Sequence, residues 1–264
     1  MNSLLLIAIT LIQAFNLYSP DMVYQNNQLV LYSGGWASIR DIPNDEIYRS
    51  ICASEYVCGT PVKVLDASPL YQINDPTLIQ MPDGYWIMYY TGNTGFKNNI
   101  YFSTSWNGVL WSSPTLLLED FWLPSATMKD GEVYLFATNI YNNWIYKFDL
   151  GASGISVGSP VLLGLPPSNT VYWINIDIEY QPSIQLWQAV AENLEVGNSS
   201  SYISYLYSLD GVNWRMGADK IIVAGFGKSV RTPAMHPNTA YFIYYGCSNT
   251  RDGMSNNICF ADWR

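Results

Sequence analysis

Five short triplets punctuate this chain, and the carboxylates they carry are its best candidates for chemistry. Ser19-Pro20-Asp21, Asp75-Pro76-Thr77 and Asn175-Ile176-Asp177 each hold an aspartate, whereas Leu123-Pro124-Ser125 and Thr232-Pro233-Ala234 hold none. Two carboxyls in one cleft suit glycoside hydrolysis, where one protonates the leaving oxygen and the other acts as base or nucleophile. Metal chemistry has little to draw on. The only histidine is His236, in a Met-His-Pro turn that suits a structural residue, and the four cysteines lack C-x-x-C spacing.

The triplets belong to larger units that repeat five times. They lead into MVYQNNQLVLYSGGW, LIQMPDGYWIMYYTGN, ATMKDGEVYLFATN, IEYQPSIQLWQAVAEN and MHPNTAYFIYYG. Each is a strand, a turn rich in Asn, Asp, Gly or Pro, and a second strand with alternating aromatics, the signature of a β-hairpin. Third and fourth strands follow in most copies, as in NIYFSTS then PTLLLE and YISYLYS then DKIIVAG. Antiparallel four-stranded units every ~50 residues predict an all-β, five-bladed β-propeller. The last copy stops one strand short at NICFADWR, so the apolar segment Leu4 to Phe15 is expected to close the ring. The same segment has the length of a signal-peptide core, which leaves two readings for residues 1–16 and one propeller domain over 17–264.

The x-Pro-Asp and Asp-Pro starts, followed by YYxYYTG-like strands, resemble the five-bladed propellers of glycoside hydrolase families 43 and 32, the arabinanase and fructosidase type. Two turns, Ser105-Trp106-Asn107-Gly108 with Trp111 and Ser208-Leu209-Asp210-Gly211 with Trp214, resemble the Asp-box turns of glycan-processing propellers, and their expected role is to hold hairpins together. The resemblance implies a base or nucleophile in blade one, a modulating Asp in blade two and a Glu acid in blade three. Asp21 and Asp75 fit the first two by blade order. Blade three departs from the pattern, because Leu123-Pro124-Ser125-Ala126 has no acid and only Asp120 and Asp130 flank it. Glu179, on the same strand face as Asp177, and Glu192, after the next strand, are the substitutes available.

In such a propeller the start of each innermost strand faces the axis, and alternation puts the first and third triplet positions on one side. Asp21, Asp75 and Asp177 are therefore expected to converge, with Asn175, Ser125 and Thr232 beside them. Arg231 is placed to reach a ligand hydroxyl or an aspartate, and Trp36, Trp122 and Trp173 to stack on sugar rings or pack in the core.

Composition narrows the partners. The 264 residues are 49% apolar and 15% aromatic, with 21 Tyr and 10 Trp, but only 12% charged. A net charge of -9 with no basic run repels a phosphate backbone, so nucleic acid is not an expected partner. Flat aromatic faces and neutral polar groups suit an oligo- or polysaccharide. Cys52 with Cys58 and Cys247 with Cys259 are spaced for two local disulfides, which places the protein in an oxidising setting: secreted, extracellular or on a virion surface. Asn198-Ser199-Ser200 is a glycosylation sequon. No stable membrane span and no cofactor are expected, apart from a structural ion that the axis could hold. Three functions fit: a glycosidase-like propeller with Asp21 as base, a non-catalytic carbohydrate-binding propeller, and a virion or surface structural protein.

Overall fold

The computed structural model describes residues 8–14, 16–36, 45–166, 171–195, 201–223, 229–237, 239–248 and 256–263. The Asn198 sequon lies outside them. Among the described residues there is no helix, so none is long and apolar enough to cross a membrane.

Five antiparallel sheets form the blades. Blade one holds β2 (Leu17–Gln25), β3 (Gln28–Gly35) and β4 (Glu46–Ser54), with the short β5 (Val57–Cys58) and β6 (Val62–Leu65) both pairing with β4. Blade two runs outward as β7 (Gln72–Gln80), β8 (Trp86–Asn93), β9 (Asn98–Ser105) and β10 (Thr115–Leu118). Blade three is β11 (Phe121–Lys129), β12 (Glu132–Asn139), β13 (Ile145–Gly151) and β14 (Val161–Leu162). Blade four is β15 (Val171–Gln181), β16 (Leu186–Glu195), β17 (Ser201–Ser208) and β18 (Trp214–Val223). Blade five takes β19 (Ser229–His236), β20 (Thr239–Ser248) and β21 (Asn256–Asp262) from the end of the chain. Its outermost strand is β1 (Ala8–Ala14), paired antiparallel with β21 from Ala8↔Asp262 to Ala14↔Asn257.

The inner strands β2, β7, β11, β15 and β19 neighbour one another in a ring, with β19 against β2. Among the described residues no single core fills the middle. Instead five apolar layers occupy the five seams, each built from two adjacent blades. Between blades two and three, for example, Ile87, Tyr89 and Ile100 meet Leu135, Ala137 and Phe148. This explains the sequence of β8, WIMYYTGN, which is buried at every position but the last. A strand covered on both faces reads as a continuous apolar run rather than an alternation.

Turns and disulfides secure the outer parts. The Ser105 hydroxyl accepts from Gly108 N–H at 2.9 Å and the Asn107 carbonyl side chain from Leu110 N–H at 2.9 Å. Gly108 stands at φ 67° where a Cβ would collide with Gln25, so glycine is required there. The Tyr32 hydroxyl of blade one donates to the Gly108 carbonyl at 2.7 Å, docking the turn on its neighbour. The Ser208-to-Gly211 turn is closed the same way, and the residues after it bond the segment leaving blade three, with Gly164 N–H donating to the Val212 carbonyl and Trp214 N–H to the Gly164 carbonyl, both at 2.8 Å. Disulfides join Cys52 to Cys58 and Cys247 to Cys259.

Candidate functional site

Each inner strand breaks register near its start, between Tyr18 and Pro20, Asn74 and Thr77, Trp122 and Ser125, Trp173 and Asn175, and Arg231 and Ala234. Ser19, Asp75, Leu123 and Thr232 sit at these breaks with φ of 48°, 52°, 53° and 45°. The left-handed region costs an L-residue about 1–2 kcal/mol, and β-branched Thr232 is a marked outlier there. Such strain persists where the surroundings hold it, commonly at functional sites.

The irregularity separates the first and third triplet positions into two levels. The first positions, Ser19, Asp75, Leu123, Asn175 and Thr232, line a cleft of about 560 Å³ at the mouth of the axis. That volume is ordinary for a small-ligand site. The third positions form a ring of fasteners beneath it. Asp21 Oδ2 accepts from Leu78 N–H at 2.7 Å, Thr77 Oγ1 from Ala126 N–H at 3.1 Å, Ser125 Oγ from Ile178 N–H at 2.8 Å, and Asp177 Oδ2 from Met235 N–H at 2.7 Å. Each joins one blade to the backbone of the next. The fifth position is Ala234, which has no side-chain acceptor to offer. Asp21, Asp75 and Asp177 do meet around one narrow axial pocket, but its volume of about 20 Å³ suits a water molecule rather than a sugar.

Among the described residues, two carboxylates face the wide cleft, Asp75 from blade two and Glu192 from blade four. Burial lifts Asp75 to about 6, restrained by the Ser19 and Thr91 hydroxyls and raised a little by Asp45. Burial likewise lifts Glu192 to about 7, opposed by the Thr232 N–H and the Arg231 charge, while Asp75 pushes it further up. A chain of hydrogen bonds across the seam between blades five and one positions both. Glu192 Oε2 accepts from Thr232 N–H at 2.9 Å, Thr232 Oγ1 accepts from Ser19 N–H at 3.1 Å, and the Ser19 hydroxyl donates to Asp75 Oδ1.

The lower level is electrostatically different. Burial and the nearby Asp177 push Asp21 to about 8, and burial raises Asp177 to about 6. Glu179 lines neither pocket; burial and Asp177 hold it well above the usual range, and it accepts from the Thr127 hydroxyl at 2.9 Å.

Trp36, Trp122 and Arg231 line the cleft. Trp173 does not; it packs against the layer between blades three and four and donates to the Pro166 carbonyl at 3.3 Å. Ser125 is engaged with Asp177 and Ile178 below. His236 is buried among Tyr24, Phe242 and Tyr244, and burial lowers its pKa. Sequence reasoning missed a second cluster at the mouth, where the Tyr18 hydroxyl donates to Asp45 Oδ2 and Asn74 Nδ2 donates to Tyr18 Oη at 3.1 Å. Tyr18 and Asn74 directly precede Ser19 and Asp75, so adjacency to the triplets was the available signal. Among the described residues no group of three or more His, Cys, Asp or Glu is arranged to hold a metal ion.

The five-bladed propeller is a fold that solved glycoside hydrolases also adopt, arabinanases among them. An arabinanase from Bacillus subtilis superposes with a TM-score of 0.71 at 14% identity over 95% of this chain and 96% of its own. A family 62 α-L-arabinofuranosidase catalytic domain from Coprinopsis cinerea gives 0.68 at 12% identity, covering 95% and 91%. An N-acetylgalactosamine deacetylase from F. plautii, solved with blood group B trisaccharide, gives 0.70 at 15% identity, covering 93% and 89%. The superpositions show a shared fold. No protein-family model matches the sequence, and no curated protein matches it.

Proposed function

We propose that this protein is a secreted, glycan-recognising propeller that hydrolyses a neutral glycoside of the arabinose, xylose or fructose type in the cleft, with Asp75 and Glu192 as its two carboxyls. The observation that carries the reading is their placement in one cleft with unequal raised pKa values, about 6 and about 7. Environments that separate two carboxyls in this way sort them into base and acid. Glu192 is the proton donor and Asp75, ionised earlier and held by Ser19, is the base or nucleophile. Trp36 and Trp122 offer apolar faces to the sugar, and Arg231 and Asn175 offer polar contacts. Asp21 serves the ring as a fastener in this reading, through its bond to Leu78. The two disulfides support an extracellular setting.

The test is turnover of aryl arabinofuranosides, xylosides and fructosides by the native chain and by Glu192→Gln. Hydrolysis by the native chain that falls ~100- to 10,000-fold in the variant is expected. A second reading rests on the absence of a carboxylate in the blade-three triplet, where Leu123 lines the cleft: a propeller that binds glycan without cleaving it. Saccharide binding with no turnover on any of the three would favour it.

A further inference from the structure

A second pocket lies at the far ends of the inner strands, away from the triplets, on the seam between blades four and five. Its volume is about 270 Å³, and Gln181, Ile184, Gln188, Tyr205, Tyr241 and Trp263 line it. Gln181 closes β15 and Tyr241 follows the β19–β20 turn, whereas the cleft opens where those inner strands begin. The pocket takes no part in the chemistry of the cleft.

Three aromatic rings make its walls. Trp263 contacts both of the others, with centroids 5.4 Å from Tyr205 at 43° between planes and 5.3 Å from Tyr241 at 57°. Rings tilted in this way form the corners of a box, where parallel stacking would bury their faces on one another. The walls are preformed. Gln188 Nε2 donates to Tyr205 Oη at 2.6 Å, Trp263 N–H to the Tyr241 carbonyl at 3.1 Å, and Tyr241 N–H to Thr239 Oγ1 at 3.2 Å. Tyr205 and Trp263 also back onto the apolar layer between blades four and five. Walls fixed like this need little ordering when a ligand enters. Tyr241 is 49% exposed and Ile184 60%, so the box opens to solvent.

Among the described residues the lining carries no Lys, Arg, Asp or Glu. A primary ammonium or a carboxylate would lose its water there with no ion partner to replace it. A quaternary ammonium has no N–H to satisfy, and its charge is attracted by the ring faces. The net charge of -9 adds a field that gathers cations and repels anions. We propose that Tyr205, Tyr241 and Trp263 form an aromatic box for a quaternary ammonium group of the choline type, at the end of the propeller opposite the cleft. Ile184 supplies an apolar lip for its methyl groups. Occupancy of the box does not depend on the glycan reading of the cleft.

The test is titration calorimetry of the full chain with choline, tetramethylammonium, glycerophosphocholine and dimethylbutanol, the uncharged carbon isostere of choline. Choline and tetramethylammonium should bind, and the isostere about 10-fold more weakly or worse. Tyr241→Ala should weaken choline roughly 2- to 30-fold, and so should Trp263→Phe, which keeps a ring against the apolar layer but offers a poorer face to a cation. Melting temperatures check that both variants fold, and the comparison of choline with its isostere needs neither. Glycerophosphocholine binding as tightly as choline assigns the box to a head group carried on a phosphodiester; its exclusion assigns the box to the free cation, and the box stands in either case. Absence of choline and tetramethylammonium binding, equal affinity for the isostere, or variants that bind choline like the native chain would overturn it. So would a xylo-oligosaccharide affinity that falls with Tyr241→Ala while choline fails to bind, which would make the pocket a sugar site.

Discussion

Asp75 and Glu192 come from blades two and four yet are held to one another through Ser19 and Thr232, the residues on either side of the seam where the ring closes. Their separation in sequence hides the pairing. Positive φ at Ser19, Asp75 and Thr232 turns all three toward the cleft.

The pair sets a pH window. Glu192 donates a proton only while protonated, so turnover should fall as pH rises through about 7; Asp75 acts only when ionised, so turnover should fall as pH drops below about 6. The expected profile is a narrow bell between these values, read from kcat/KM against pH. A flat profile from pH 4 to 9 would remove the pair from the chemistry.

Ser19→Ala tests the link itself. Its hydroxyl donates to the charged form of Asp75, so the substitution should raise the Asp75 pKa and move the acidic limb of the bell to higher pH. A limb that stays in place would show that Ser19 does not bear on Asp75.

Asp21 makes a different prediction. Its folded pKa, about 8, stands far above the unfolded value, so the folded state binds the proton more tightly. Its contribution to stability is full below the unfolded pKa near 4 and is lost as pH rises through about 8. Asp21→Asn keeps an acceptor for Leu78 N–H and removes the charge. The variant should melt higher than the native chain at pH 8 to 9 and lose part of the decline in melting temperature between about pH 4 and pH 8. A variant that melts lower at pH 9 would contradict this.

The pairing of β1 with β21 predicts that a chain lacking residues 1–16 leaves an unpaired edge on blade five and melts at a lower temperature, with more aggregation. Equal melting temperatures for the two chains would show that β1 adds nothing to the ring.

The repeat made the fold readable. Triplet, hairpin and aromatic alternation recur because each blade meets the same demand, burial on both faces against its neighbours. Local cysteine spacing carried the two disulfides for a similar reason, since each pair bridges adjacent strands. The site was harder to read. Simple alternation puts Asp21 and Asp75 on a par, but the register break between the first and third triplet positions assigns them to different levels, and nothing in Ser-Pro-Asp or Asp-Pro-Thr announces it. Glu192 sits on a second strand, where blade order gives no guide. Tyr18 and Asp45 meet only because β2 and the approach to β4 share a blade.

The most direct test of the two-carboxyl site is a carbon-13 NMR titration of the Glu192 side chain in the native chain and in Asp75→Asn. The account predicts a midpoint near 7 in the native chain, held there chiefly by burial, and a small downward shift once the neighbouring negative charge is removed. A midpoint near the ordinary glutamate value of about 4.3, or one indifferent to Asp75→Asn, would contradict it.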